Sequence, residues 1–250
     1  MAIVHFPLKL IDSRMLAPAV RHLAFVRDDG LPLDFIAGQF IQVHFTYPDG
    51  TPTKRSYSLA TMHDHALGPF DAVEIAVSYV QGGAATAIFT ALDEGQQIQA
   101  SGPYGRFCLM PQDGNRRYLL IGTGTGVTPY RAMLPQLKAL MDSRGVEVVL
   151  LFGARTPAEL IYGDDFYAFA AANPRFRFVP CFSRELPVDP HPDVRRGYVQ
   201  DALPDFAPDA AGDIAYLCGN PNMVDACFEA LKGLGLPVPH IRREKYVSSK

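Results

Sequence analysis

Near residue 111 the chain changes the period of its apolar residues, and that change constrains the fold more than any other feature. Up to about residue 110 the period is two. "GQFIQVHFTY" (38–47) places Phe40, Gln42 and His44 on one face and Ile41, Val43 and Phe45 on the other. "AVEIAVSYV" (72–80) is another β-branched run, and "QQIQASGPYGRFCL" (96–109) is expected to hold two short strands. Turn signals such as "YPDGTP" and "ALGPF" separate them. The one helical hint is "GGAATAIFTALDEG" (82–95), where Thr86 is expected to cap a short helix ending at Gly95. Several short strands with one helix predict a small antiparallel β-barrel.

After "PQDGNRR" (111–117) apolar strands alternate with helical stretches. "RYLLIG" (117–122), "VEVVLLFGAR" (146–155), "RFRFVPCFSRE" (175–185) and "DIAYLCGN" (213–220) read as buried strands. "PYRAMLPQLKALMDSRG" (129–145) reads as a helix, with Pro135 expected to mark a kink or a restart. This alternation predicts an α/β doubly wound parallel sheet. Two domains follow, a barrel over 1–112 and an α/β domain over 113–250.

Composition removes several function classes. The 250 residues are 48% hydrophobic and 20% charged with a net charge of -3, so no nucleic-acid or membrane surface is expected. The chain has no apolar run of about 18 residues and no signal-like start, and is read as cytoplasmic. Cys108, Cys181, Cys218 and Cys227 show no Cys-x-x-Cys spacing, which argues against an intrinsic iron–sulfur centre and a disulfide framework. His63 and His65 in "MHDHAL" read as a solvated loop, and no metal is expected.

"YLLIGTGTGVTPYRAML" is a strand, a glycine-rich turn and a helix entry with Pro129 near its first position. Gly122, Gly124 and Gly126 permit close backbone approach, and a helix N-terminus offers free N–H groups to a pyrophosphate. The spacing is G-x-G-x-G, unlike the G-x-G-x-x-G of the common dinucleotide fold, and a plain tight turn is the competing reading. Where an acid would grip a ribose 2′-hydroxyl, the second strand ends in Gly153, Ala154 and Arg155. The third ends in Ser183 and Arg184, donors suited to a phosphate monoester. Both point to NADP rather than NAD, although a surface arginine explains either alone.

"KRSYSLA" (54–60) sets five polar side chains before two apolar ones. With the segments above it resembles the ferredoxin–NADP reductase family over roughly residues 5 to 247, in five ordered motifs. By that resemblance Arg55 meets the FAD pyrophosphate, Tyr57 stacks on the flavin, Ser58 hydrogen-bonds near its N5, and Ser56 belongs to the same signature. "VSYVQGGAAT" (77–86) resembles the segment that holds the ribityl chain and phosphates, implicating Ala76, Val77, Gly83, Ala84 and Thr86. "GPYGRF" (102–107) resembles the turn out of the barrel, and "GTGTGVTP" the nicotinamide loop, through Thr123, Gly124, Thr125, Gly126 and Thr128. "YLCGNPNMVD" (216–225) resembles the Cys-Gly segment, placing Cys218, Gly219 and Asn220 at the nicotinamide. Glu244 and Tyr246 in "REKYVSSK" reproduce the Glu-x-Tyr spacing at the family's C-terminus, where the Tyr covers the flavin. Here Val247–Lys250 follow it, as in bacterial members.

The resemblance implies a bacterial-type ferredoxin (or flavodoxin)–NADP(H) reductase, monomeric, using FAD and NADP(H). Ser58, Cys218, Glu244 and Tyr246 would shape the hydride-transfer site. The rivals are an NAD(P)H-dependent flavin reductase and a reductase component serving an oxygenase; the latter usually carries an iron–sulfur domain, which the cysteine spacing does not provide. An electron-transfer subunit docked on a larger enzyme and a flavin-keeping module without turnover are further alternatives.

Overall fold

The period-two half of the sequence becomes a six-stranded antiparallel sheet. In the computed structural model residues 4–47, 49–64, 67–110 and 112–246 are described. The chain divides into two compact units: one takes residues up to Leu109 together with Thr128–Pro135, the other Met110–Val127 and the described residues from Gln136 onward.

In the first unit the strands are β1 (His5–Ala17), β2 (Val20–Arg27), β3 (Phe40–Thr46), β4 (Pro52–Ser58), β5 (Val73–Ser78) and β6 (Gln97–Tyr104), ordered β4-β3-β6-β1-β2-β5. Alternate residues face inward: Phe6, Leu8 and Leu10; Leu23 and Phe25; Ile41 and Val43; Val73, Ile75 and Val77. Each such side chain contributes about 1.5–3 kcal/mol of burial. The segment just after edge strand β4 meets edge strand β5 at a bridge, Leu59 to Ile75, extended by the Ala60 N–H to the Glu74 carbonyl at 2.8 Å. That contact closes the sheet as a barrel.

Two expectations change here. Residues 96–109 form one strand, β6, and 105–109 leave the sheet, because Gly105 takes a left-handed φ of 103°. The helix α1 (Ala84–Ala91) begins behind Gly83, so Thr86 lies inside its first turn instead of capping it. The Thr86 hydroxyl is engaged locally, accepting from the Val80 N–H (2.8 Å) and donating to the Val80 carbonyl (2.9 Å). The helix stops at Ala91, where Leu92 turns extended to bury its side chain.

Chain order in the remainder is β7 (Arg117–Thr123), α2 (Thr128–Arg144), β8 (Glu147–Ala154), α3 (Gly163–Ala172), β9 (Phe176–Phe182), β10 (Arg195–Arg196), α4 (Val199–Ala202), β11 (Asp213–Gly219), α5 (Pro221–Gly233) and β12 (Ile241–Lys245). The strands make a parallel sheet, β10-β9-β8-β7-β11-β12. The order reverses between β7 and β11, which is where open α/β sheets bind ligands, at their carboxyl ends. One face packs Leu119, Ile121, Leu151 and Leu217 against α4 and α5; on the other, Phe166 of α3 meets Phe178 at 5.3 Å. Strands buried on both faces read as continuous apolar runs.

Pro135 neither breaks nor restarts α2, which runs on to Arg144. An internal proline costs roughly 3 kcal/mol, and burial of Met133, Leu134 and Leu137 around it offsets that cost. Within the first unit Arg131 is almost fully buried, its Nη1 donating to the Ala60 carbonyl (2.7 Å) and to Glu74 Oε2 (2.6 Å). Burial alone would raise the Glu74 carboxyl, but His22 and Arg131 outweigh it and hold the group down at about 2.

Candidate flavin and nicotinamide sites

On β4, Thr53, Arg55 and Tyr57 occupy one half-buried face, while Lys54 and Ser56 alternate to the exposed side. Tyr57 sits edge-on to Phe89 of α1, with centroids 5.3 Å apart, so this face looks toward that helix. Burial pushes its phenol upward, keeping it neutral. Arg55 is held before any ligand arrives: Nη2 donates to the Tyr47 hydroxyl (2.7 Å), and Nη1 to Thr53 Oγ1 (3.1 Å) and the Lys54 carbonyl (2.9 Å). Its guanidinium also lies 5.8 Å from the Phe45 ring centroid.

The N-terminus of α1 has no side-chain cap and no acid in its first turn. Its first N–H groups therefore suit an anion. An aromatic ring, a positioned guanidinium and an uncapped helix start form a set that fits a flavin with its pyrophosphate. Ser58 is buried but lies on the Ser56 side of the strand. Ser56 is not brought together with Arg55 and Tyr57, since neighbouring strand residues point oppositely. The side chains of Ala76 and Val77 are buried, which leaves backbone as their means of contact. Tyr47 joins this set from outside the sequence expectations; it follows β3 directly, in the turn of the β3–β4 hairpin that carries Arg55.

In the second unit the loop after β7 is a 3-10 turn, Gly124–Val127, running into α2. Gly124 has a left-handed φ of 54°, and a Cβ there would meet open space, leaving room for a ligand. Gly126 is glycine for another reason. A Cβ on it would overlap the Cys218 carbonyl oxygen and come within 2.5 Å of the Gly219 Cα, so it seats the loop on β11. Thr123 Oγ1 accepts the Asn220 N–H (3.2 Å), and Asn220 caps α5 through the Asn222 N–H (2.9 Å). Thr125 is half-buried in the turn. Thr128 Oγ1 is buried without a hydrogen-bond partner, an orphan at the start of α2 of the kind a bound group satisfies.

Parallel pairing of β11 with β12 sets Cys218 beside Glu244, and the Tyr246 N–H donates to the Gly219 carbonyl at 2.8 Å. Cys218 is fully buried, and its thiol is pushed well above its ordinary range by burial and by the Glu244 charge, against a hydrogen bond with Tyr246. It is a thiol, not a thiolate nucleophile. Burial pushes the Glu244 carboxyl up to about 7. Three expected residues thus converge at the carboxyl end of β11. Val247–Lys250 and His65 lie outside the described residues.

At the next strand ends, Arg155 follows β8, and its carbonyl accepts the Arg184 N–H (3.0 Å); the Ser183 N–H reaches the Ala154 carbonyl (3.1 Å). Arg155, Ser183 and Arg184 are therefore neighbours. Glu159, outside the sequence expectations, pairs its carboxylate with Arg155 at 2.9 Å; the Arg-x-x-x-Glu spacing is the signal the sequence carries for it. Among the described residues no helix is long and apolar enough to cross a membrane, and no group of three or more His, Cys, Asp or Glu is arranged to hold a metal.

Two family models match, an oxidoreductase FAD-binding domain over residues 7–108 and an oxidoreductase NAD-binding domain over 120–229. Ferredoxin–NADP reductase B of Sorangium cellulosum is 36% identical over 248 residues, 96% of this chain and 97% of that protein. The reductase subunit of an aromatic O-demethylase from Amycolatopsis is 36% identical over 219 residues, 86% of this chain and 62% of that one. Among solved structures, the Amycolatopsis cytochrome P450 reductase superposes with a TM-score of 0.81 at 32% identity, over 97% of this chain and 70% of that one. A ferredoxin NADP+ reductase from Neisseria gonorrhoeae, with bound FAD and NADP, shares the fold at a TM-score of 0.80 and 22% identity, covering 96% and 98% of the two chains. The sheet orders, the two family models and the near full-length Sorangium match agree: the chain belongs to the ferredoxin–NADP reductase family and is a flavin-dependent oxidoreductase with an FAD-binding and an NAD(P)-binding domain.

Proposed function

We propose that the protein is a ferredoxin (or flavodoxin)–NADP(H) oxidoreductase. Bound FAD supplies the conversion between two-electron hydride exchange and single-electron transfer. Arg55 and the α1 N-terminus neutralise and orient its pyrophosphate, and Tyr57 offers a ring face to the flavin. Ser58 is assigned to the flavin side of the exchange, and Cys218, Glu244 and Tyr246 to the nicotinamide side. There Cys218 stays protonated and fills space as a neutral donor. Glu244 holds a proton at its carboxyl below about pH 7. Thr123, Gly124, Thr125 and Thr128 would receive the dinucleotide's phosphates, and Arg155, Ser183 and Arg184 the 2′-phosphate.

The observation that carries this reading is the convergence of Cys218, Glu244 and Tyr246 at the end of β11. A separate protein carrier is favoured by the match over 97% of the Sorangium reductase. A second reading, a reductase component serving an oxygenase, is supported by relatives such as the reductase component of a Pseudomonas phenol 2-monooxygenase, 34% identical, of which this chain spans 58%. Steady-state assays with NADPH and NADH, offering ferredoxin, flavodoxin or free FMN as acceptor, separate the readings. The proposal expects NADPH-driven reduction of ferredoxin or flavodoxin to outpace that of free FMN. Activity confined to free flavin, or to an oxygenase partner, counts against it.

A further inference from the structure

Glu159 closes the 3-10 turn Pro157–Glu159 after β8, and the hydride chemistry leaves it unused. Its carboxylate grips Arg155 as a fork. Oε2 accepts from Nε at 2.9 Å and from the Arg155 backbone N–H at 3.2 Å, while Oε1 lies 2.5 Å from Nη2. The Arg155 carbonyl in turn accepts the N–H groups of Arg184 (3.0 Å) and Glu185 (3.1 Å), joining the turns at the ends of β8 and β9. The hydrogen bond from Arg155 holds the Glu159 carboxyl below its usual range, and the Arg184 charge acts in the same direction. The carboxylate therefore feels both arginines.

A phosphate monoester brings close to two negative charges. To use Arg155 it must open the fork or sit beside a carboxylate, and both are unfavourable. A nucleotide with a bare 2′-hydroxyl meets neither obstacle. We infer that Glu159 is a specificity-determining residue: by neutralising Arg155 it weakens the grip on a 2′-phosphate and narrows the preference for NADP(H) over NAD(H). This rests on the assignment of Arg155, Ser183 and Arg184 to the 2′-phosphate.

The test is calorimetric titration of the holoprotein at low ionic strength with adenosine 2′,5′-bisphosphate and, separately, adenosine 5′-phosphate. Glu159→Gln keeps an oxygen for the Arg155 N–H, and Glu159→Ser is the second variant should the first not fold. Either should bind the bisphosphate on the order of three- to tenfold more tightly than wild type. The gain should shrink with added salt and vanish in the Glu159→Gln/Arg155→Ala double variant, and the NADPH-to-NADH ratio of kcat/KM should rise with it. Equal or weaker bisphosphate binding by the Glu159 variants, with wild type still favouring the bisphosphate and Arg184→Ala abolishing that preference, overturns the inference alone. Wild type binding both probes equally, with Arg184→Ala changing neither, overturns the 2′-phosphate assignment and the inference with it.

Discussion

Arg55 is the most heavily pre-positioned side chain of the flavin set, bonded to Tyr47, Thr53 and its own strand before a ligand arrives. Removing a charge-assisted contact costs about 1.5–3 kcal/mol, so Arg55→Ala should weaken FAD binding by that amount in a flavin-release titration. Glu244 gives a pH signature. Its carboxyl is raised from 4.5 to about 7 in the fold, so the native chain holds a proton that the unfolded chain releases earlier. Stability from this group is full below about pH 4.5 and is lost as pH rises through about 7. Denaturant unfolding across that window should show a loss on the order of 3 kcal/mol that Glu244→Gln removes; an identical slope in the variant would contradict the assignment. Tyr246 engages Cys218 through its hydroxyl. If its ring covers the place nicotinamide needs, Tyr246→Ser should bind NADP more tightly and accept NADH better, followed by the flavin difference spectrum. Equal or weaker binding would make the ring a packing residue.

At the scale of elements, Gly126 and Arg131 carry the sharpest expectations. A methyl on Gly126 must displace the backbone of β11 at Cys218, so Gly126→Ala should cost about 1–3 kcal/mol or more and lower Tm. Arg131→Ala takes the guanidinium from a mostly buried Glu74, a change that typically costs 3–5 kcal/mol. Neither role was legible in the sequence. "GTGTGVTP" gave the strand–turn–helix correctly because the glycines, Pro129 and the apolar run are local signals, whereas Gly126 is fixed by β11, some ninety residues on. The parallel strands β7, β8, β9 and β11 were legible because strands buried on both faces leave uninterrupted apolar runs. β1 and β2 were not singled out: β1 is bulged after Leu10 and Met15, and its outer half carries Asp12, Ser13 and Arg14. Thr86 caps no helix because its hydroxyl is taken by the Val80 N–H and carbonyl, a loop contact that residue type and spacing do not disclose. Convergence of Cys218, Glu244 and Tyr246 came from the resemblance; the β11–β12 register supplies its physical reason.

For the whole molecule, the division into an antiparallel and a parallel unit separates two tasks that need different backbones. On the proposed assignment, the antiparallel barrel would present β4, the end of β5 and the start of α1 to a flavin. On the same assignment, the doubly wound sheet would present the carboxyl ends of β7, β8, β9 and β11 to a dinucleotide. The most direct measurement is the absorbance spectrum of the purified protein, followed through anaerobic titration with NADPH. A flavin spectrum with one FAD per chain, bleached by NADPH at lower concentrations than NADH requires, is the expected result. A protein that is colourless and rejects added FAD, or whose bound flavin NADPH leaves oxidised, would contradict it.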